Sequence, residues 1–352
     1  MKIGIYSPYL DTLTGGEFYM LTIAEFLSEK HDVDIFWNDK EILNKGSRRF
    51  NLNLDRVNLV KDIFLESLSS KEKFIKTLKY DRIIFLSDGS IPFLYPKKLI
   101  LHFQEPFLSK NVPFLEKSKA FSARKVICNS KFTKEYIDKT FGVNSIVLYP
   151  PVQKIKLVNK RRENVILTVG RYQPYEDGTD FKKISFMIDM FKKLYLENKE
   201  WKFKIITSVK SEYESNFEKN ILSKIDNSIE IIKNADFETV QSSYVGSKIY
   251  WHAAGFGEDI DQKPQRAEHF GISTVEAMSA GSVPVVINLG GQKEIIEDKY
   301  NGFLWENQNE LLNYTKQLMN DDELLNNMRE NALKIIKKFS KEKFCKDLSD
   351  II

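Results

Sequence analysis

Two acids, Glu268 and Glu276, are separated by seven residues, and between them lies the glycine-containing run HFGI. Carboxylates accept hydrogen bonds from vicinal hydroxyls, so two of them at different depths suit a ligand with two sets of diols, such as a nucleotide sugar. The run STVEAMSAG reads as a helix with Ser273 as its N-cap and Gly281 as its stop. Free N–H groups and the positive dipole end at such a helix start suit a diphosphate without any side chain, and Gly271 lets the backbone come close. Arg171, directly after VILTVG, offers a two-pronged donor for phosphate oxygens. A first-turn glutamate also stabilises a helix dipole by about 0.3–1 kcal/mol with no ligand at all. The joint spacing of both acids, the glycine loop and the Gly290–Gly291 turn before Glu294 is what points to a site.

These residues need a scaffold, and its elements show as short apolar runs alternating with helical patterns, the mark of a parallel sheet covered by helices. The first half holds KIGIYS, DVDIFW, RVNLV, RIIFLS, KLILHF, KVICN and SIVLY; a second series holds NVILTVG, KFKIIT, SIEIIK, SKIYW and VPVVI. Between the two series, PPVQKIKLVNKRREN has two prolines that lack N–H donors and a polar, basic composition, and reads as a linker. The predicted organisation is a Rossmann-like domain over 1–157, a second over 158–330, and a helical tail over 331–352. That tail either caps the second domain or crosses back over the first.

At 352 residues, 42% of them apolar, the chain can bury two cores. Its apolar runs fall short of the roughly 20 residues of a membrane-spanning helix, and MKIGIYSP reads as a strand rather than an export leader, so a cytoplasmic location is expected. Two cysteines and four scattered histidines provide neither a disulfide framework nor a metal-ligand spacing; no metal and no resident cofactor is expected. A net charge of +4 without a recognition motif argues against nucleic acid as a partner.

In the first half, Gly15 and Gly16 follow the first strand and precede an amphipathic helix, so they can bring backbone amides to a phosphate. Their context, LTGGEF, departs from the GxGxxG of a dinucleotide-binding dehydrogenase. His102 closes KLILH at the strand end where ligands sit in parallel sheets.

The segment EHFGISTVEAMSAGSVPVV followed by GGQKEIIEDKYNGFL resembles the donor-site signature of the family 4 retaining glycosyltransferases. The likeness continues through YLDTLTGGEFYMLTIAEFL, VICNSKFTKEYI, LYPPV and GRYQ in the family's order. It implies an α/β GT-B fold: two Rossmann-like doubly wound domains facing a central cleft, the first for acceptor and the second for a nucleotide-sugar donor, with no metal required. Carried over residue by residue, Glu276 would hold the ribose and Glu268 the hydroxyls of the donor sugar. The amides of His269, Phe270, Gly271 and Ile272 would lie near sugar and phosphates, and Arg171 would clamp the diphosphate. Lys182 matches the family's phosphate lysine, although the long loop QPYEDGTDF leaves Lys183 as an alternative. His102 would stand against the donor sugar, and Gly15 and Gly16 beside the nucleotide sugar.

Breaking the anomeric C–O bond leaves extra negative charge on the diphosphate, so preorganised cations and amides are the largest available help. Front-face attack and a covalent intermediate both remain open routes to retention. The stretch WHAAGFGED together with the signature is similar to mannosyltransferases that use GDP-mannose to extend lipid-linked oligosaccharides. That implies GDP-mannose as donor and a glycan or lipid-linked glycan as acceptor. UDP-glucose or a UDP-hexosamine is the alternative donor, and a non-catalytic nucleotide-sugar-binding protein the alternative class. Residues 61–140 carry sixteen Lys and Arg against nine Asp and Glu, with cations interleaved among Phe, Leu and Ile in KEKFIKTLKY and NVPFLEKSKAFSARK. A peripheral contact with the inner membrane face is expected from that pattern, which a solvated helix over the core would also produce.

Overall fold

The computed structural model describes residues 1–65, 67–153, 155 and 162–352; the boundary expected at 157 and the middle of the linker, 156–161, lie outside the described residues. The chain divides into two compact units, Met1–Pro151 with Lys341–Ile352, and Val152–Ser340.

In the first unit, β1 (Lys2–Tyr6), β2 (Asp32–Phe36), β3 (Val57–Val60), β4 (Arg82–Leu86), β5 (Leu99–Phe103), β6 (Lys125–Cys128) and β7 (Ile146–Val147) form a parallel sheet in the order β3-β2-β1-β4-β5-β6-β7. Its inner strands are buried on both faces, as KIGIY, RIIFL and LILHF require. The helix Gly15–Ser28 covers one face and the helix Lys341–Ile351 packs beside it, with Phe344, Leu348 and Ile351 in the same apolar cluster as Tyr19 and Leu27. Each such side chain contributes roughly 1.5–3 kcal/mol by leaving water. Lys125 Nζ donates to Ile351 O at 2.6 Å and ties down the last turn.

In the second unit, β8 (Glu163–Arg171), β9 (Lys202–Ser208), β10 (Ile229–Lys233), β11 (Ser247–His252), β12 (Val283–Ile287) and β13 (Phe303–Trp305) are parallel in the order β10-β9-β8-β11-β12-β13. Strand β13 is absent from the sequence expectation, being only three residues long. Trp201, Trp251 and Trp305 fill the core, and Trp251 Nε1 donates to Thr315 Oγ1 at 3.0 Å. The strand order reverses between β8 and β11, and in such sheets the crevice beyond the carboxyl ends of the two diverging strands is where ligands bind. Among the described residues, no helix is long and apolar enough to cross a membrane.

Candidate functional site

The switch point of the second sheet is occupied by chemistry. Strand β8 ends at Arg171 and β11 at His252, and the loops that follow them return Lys182 and Glu268 to the same place. Lys182 Nζ lies 2.5 Å from Glu268 Oε2, and His252 Nε2 lies 2.8 Å from that same oxygen. Burial alone would raise the Glu268 carboxyl, but the Lys182 ammonium and the His252 hydrogen bond outweigh it and hold the group well below the ordinary carboxylate range. Burial also lowers the His252 imidazole, against the pull of Glu268, so a neutral ring donates its Nε2–H to the carboxylate. Both neighbours use Oε2, and the described residues place no donor on Oε1, which stays open to a hydroxyl. The stem of Lys182 crosses Gly170, where a Cβ would stand 2.9 Å from Lys182 Cε and 3.0 Å from its Cγ.

The next helix, Ile272–Ser279, starts two residues earlier than an N-cap at Ser273 would have it. Gly271, with φ of 116°, is its N-cap; Ser273 lies inside the first turn and accepts the Tyr250 hydroxyl at 2.8 Å. Ser273 is a good cap by residue type, but the left-handed backbone that turns the chain into this helix falls on the glycine. Thr274 N and Val275 N donate to Gly271 O at 3.0 and 3.2 Å, so the amides of Ile272 and Ser273 precede the helix's own ladder. Glu276, one turn in, accepts the Tyr244 hydroxyl on Oε2 at 3.0 Å, and burial pushes its carboxyl up to about 7.

Arg171 is exposed, and among the described residues its guanidinium enters no ion pair. Of the glycine loop, His269 is half-buried with Nε2 3.3 Å from Gln265 O, while the buried Phe270 ring packs edge-on to Phe339. The second unit thus brings together Lys182, Glu268 and the unforeseen His252. Lys183 points elsewhere, onto Glu258.

In the first unit, Gly15 and Gly16 open the helix Gly15–Ser28. Its start already holds a carboxylate: Thr14 N, Thr14 Oγ1 and Thr12 Oγ1 each donate to Glu17 Oε2 at 2.7 Å. A phosphate there would meet like charge. His102 ends β5 as expected, yet its ring is wholly buried, stacked on Tyr19 at 4.4 Å, with Nδ1 3.3 Å from Ile127 O. Burial lowers the imidazole to about 3. Gln104 Nε2 lies 3.2 Å from His102 Nε2 and donates to Gly16 O at 3.3 Å, so Gln104 links the two candidate positions, which sequence spacing did not indicate.

Comparison with known proteins bears on both units. Residues 151–335, more than half of the chain, match the family model described as Glycosyl transferases group 1. An uncharacterised glycosyltransferase of Methanocaldococcus jannaschii is 31% identical over 255 residues, covering 70% of this chain and 65% of that protein, just under two thirds of the relative's length. A GDP-Man:Man(3)GlcNAc(2)-PP-Dol alpha-1,2-mannosyltransferase of Dictyostelium discoideum is 21% identical, covering 98% of this chain and 83% of that one. Among solved structures, HepE of Anabaena in complex with UDP and glucose is similar with a TM-score of 0.70 at 16% identity, over 100% of this chain and 99% of that chain. At that identity the likeness shows the fold, which is that of the GT-B glycosyltransferases.

Proposed function

Because the chain belongs to the group 1 glycosyl transferases, we propose that this glycosyltransferase moves a hexose, with retention, from a nucleotide sugar to a glycan or lipid-linked glycan. The observation that carries the reading is the Lys182–Glu268–His252 cluster at the switch point where β8 ends in Arg171. Glu268, kept ionised by its neighbours, accepts hydroxyls of the donor sugar on Oε1. Arg171, Lys182 and the amides at Gly271 and Ile272 receive the negative charge that grows on the departing diphosphate, with His269 and Phe270 completing the loop around the sugar. Glu276 holds the ribose. In the first unit, Gly15 and Gly16 serve close approach of the backbone, and His102, neutral and buried, holds Gln104 against that turn instead of moving a proton. No metal enters this scheme, since side-chain cations and amides supply the charge.

GDP-mannose is the proposed donor, supported by the Dictyostelium relative's match along nearly the whole chain. UDP-glucose or a UDP-hexosamine is the second reading, favoured by the Anabaena structures with UDP and UDP-glucose. A donor panel read by nucleotide release decides between them. Release from GDP-mannose well above that from UDP-sugars is expected, and the reverse order would replace the donor assignment.

We also propose that the first unit meets its acceptor at an anionic lipid surface. The helix Phe114–Ser122 is turned inside out: Glu116 accepts Ile91 N at 2.7 Å and Lys119 donates to Ile91 O at 2.7 Å, while Phe114, Leu115 and Phe121 are 85%, 61% and 73% exposed. Exposed Lys76, Lys79, Lys97 and Arg124 lie on the neighbouring segments of the same unit. Aromatic side chains among cations suit insertion between anionic headgroups.

A further inference from the structure

The Lys182–Glu268 pair joins the ends of two loops that spring from the two switch-point strands, 172–183 after β8 and 253–267 after β11. The loops are fastened a second time, away from that pair. Lys183 Nζ is paired with Glu258 Oε1, and Glu258 Oε2 takes Arg266 Nη1 at 2.9 Å. The same Nη1 bonds Asp177 Oδ2 at 2.9 Å, while the guanidinium lies 4.0 Å from the centre of the Tyr175 ring. Lys183 and Glu258 keep less than a tenth of their side-chain surface exposed. Burial works to raise the Glu258 carboxyl, and the two cations outweigh it.

The backbone adds a second observation. Lys183 has φ of 57° and caps the helix Ile184–Tyr195. A long side chain in the left-handed region is disfavoured and persists where its surroundings hold it. Here the surroundings are an ion pair reaching across to the other loop, so the residue next to Lys182 cannot shift without breaking a buried charge contact.

We propose that Lys183, Glu258 and Arg266 form a positioning clamp that fastens the two loops together and so fixes the Lys182 ammonium and the Glu268 carboxylate where a diphosphate and its sugar are received. None of the three touches substrate; each acts through Lys182 and Glu268. The clamp rests on the glycosyltransferase reading for its kinetic consequence only. A cation aimed in advance stabilises transition-state charge without reorganising during the reaction, so loosening the clamp lowers kcat more than it raises KM.

The test uses the full chain with Glu258→Gln and Lys183→Gly. Hydrogen exchange in 172–183 and 253–267 should quicken by at least about tenfold in Glu258→Gln while the strands of the second sheet keep their protection. With whichever of GDP-mannose and UDP-glucose the wild type turns over, kcat should fall at least about tenfold with KM within about threefold. Lys183→Gly relieves the left-handed backbone, so a merely local role would leave melting temperature and activity at wild-type levels or better. The clamp requires exchange to quicken and kcat to fall in this variant too, and it carries the test if Glu258→Gln does not fold. Lys183→Arg, which keeps the charge, should recover most of the rate. Wild-type exchange in both loops, or wild-type kcat, in Lys183→Gly overturns the proposal. If the wild type turns over no nucleotide sugar, the functional reading fails and the exchange measurement still decides the clamp.

Discussion

Lys182 Nζ and Glu268 Oε2 stand 2.5 Å apart across 86 positions of sequence, and the lysine reaches that carboxylate by running its stem over Gly170. The missing Cβ of Gly170 therefore belongs to the site's geometry. Gly170→Ala would place a methyl 2.9 Å from Lys182 Cε and 3.1 Å from its Cδ, and the flexible lysine, not the strand, would give way. The expected outcome is a melting temperature within a few degrees of wild type and turnover lower by about tenfold or more, since a displaced cation no longer meets the developing charge. Unchanged kcat/KM in the folded variant would show that the path of Lys182 over Gly170 is irrelevant to catalysis.

Removing the charges themselves should act more strongly. Glu268→Ala and Arg171→Ala are each expected to lower turnover by about two orders of magnitude or more, as deletion of one preorganised charge commonly does. Folding should survive. Arg171 is exposed, and loss of Glu268 leaves behind a neutral imidazole and a lysine long enough to reach water. Circular dichroism and steady-state nucleotide release check both points, and near-full activity in either folded variant moves the donor site elsewhere.

Glu276 gives nucleotide binding a pH dependence. Burial raises its carboxyl from 4.5 to about 7, opposed by the Tyr244 hydroxyl, so below neutrality the ligand-free protein holds it protonated. A ribose diol donates hydrogen bonds and favours the carboxylate, so binding expels a proton. Affinity for the nucleoside diphosphate should rise with pH through about 7 and level off above it, approaching tenfold per unit on the acid side. Because the folded value is the higher one, ionisation opposes folding. The stability held below pH 4.5 is lost as pH rises towards 7, and Glu276→Gln should abolish that loss together with the binding slope. Calorimetric titrations between pH 5.5 and 8 test this, and a flat affinity in the wild type would exclude Glu276 as the ribose acceptor.

Much of the scaffold was legible because central parallel strands are buried on both faces and must be written as continuous apolar runs, as in RIIFL, LILHF and VPVVI. Strand β13 was not, since FLW is too short to show a period. Glu268, Glu276 and the glycine loop were visible as one local cluster. His252 was not, because its relation to Glu268 depends on where β11 ends, and a histidine in an apolar run reads as core. The choice between Lys182 and Lys183 needed three dimensions, since adjacent residues at a helix start can point to different acids. Ser273 as N-cap failed for a different reason: residue preference favours serine, while the left-handed backbone at Gly271 has no signature beyond the glycine.

The outward aromatic face of the helix Phe114–Ser122 leads to the last prediction. Apolar residues usually line the buried side of a surface helix, but here Ala120 is buried, Glu116 and Lys119 hold Ile91, and Phe114 and Phe121 stand a helical repeat apart on the open side. Eight large apolar side chains are exposed between Leu65 and Phe121, over half of all those exposed in the described chain. Lysines around such a face should draw it to anionic lipid, where the rings leave water. Wild-type protein is expected to sediment with vesicles containing phosphatidylglycerol at low salt, and to bind them much less at ionic strengths where the Debye length falls to about 3 Å. Neutral phosphatidylcholine vesicles should bind little. Phe114→Ser with Phe121→Ser should weaken vesicle binding at least about tenfold while leaving turnover of a water-soluble acceptor unchanged, because both rings belong to the first unit and the proposed donor residues Lys182 and Glu268 to the second. Binding that persists at high salt would remove electrostatics as its cause, and no binding at low salt would remove the lipid surface altogether.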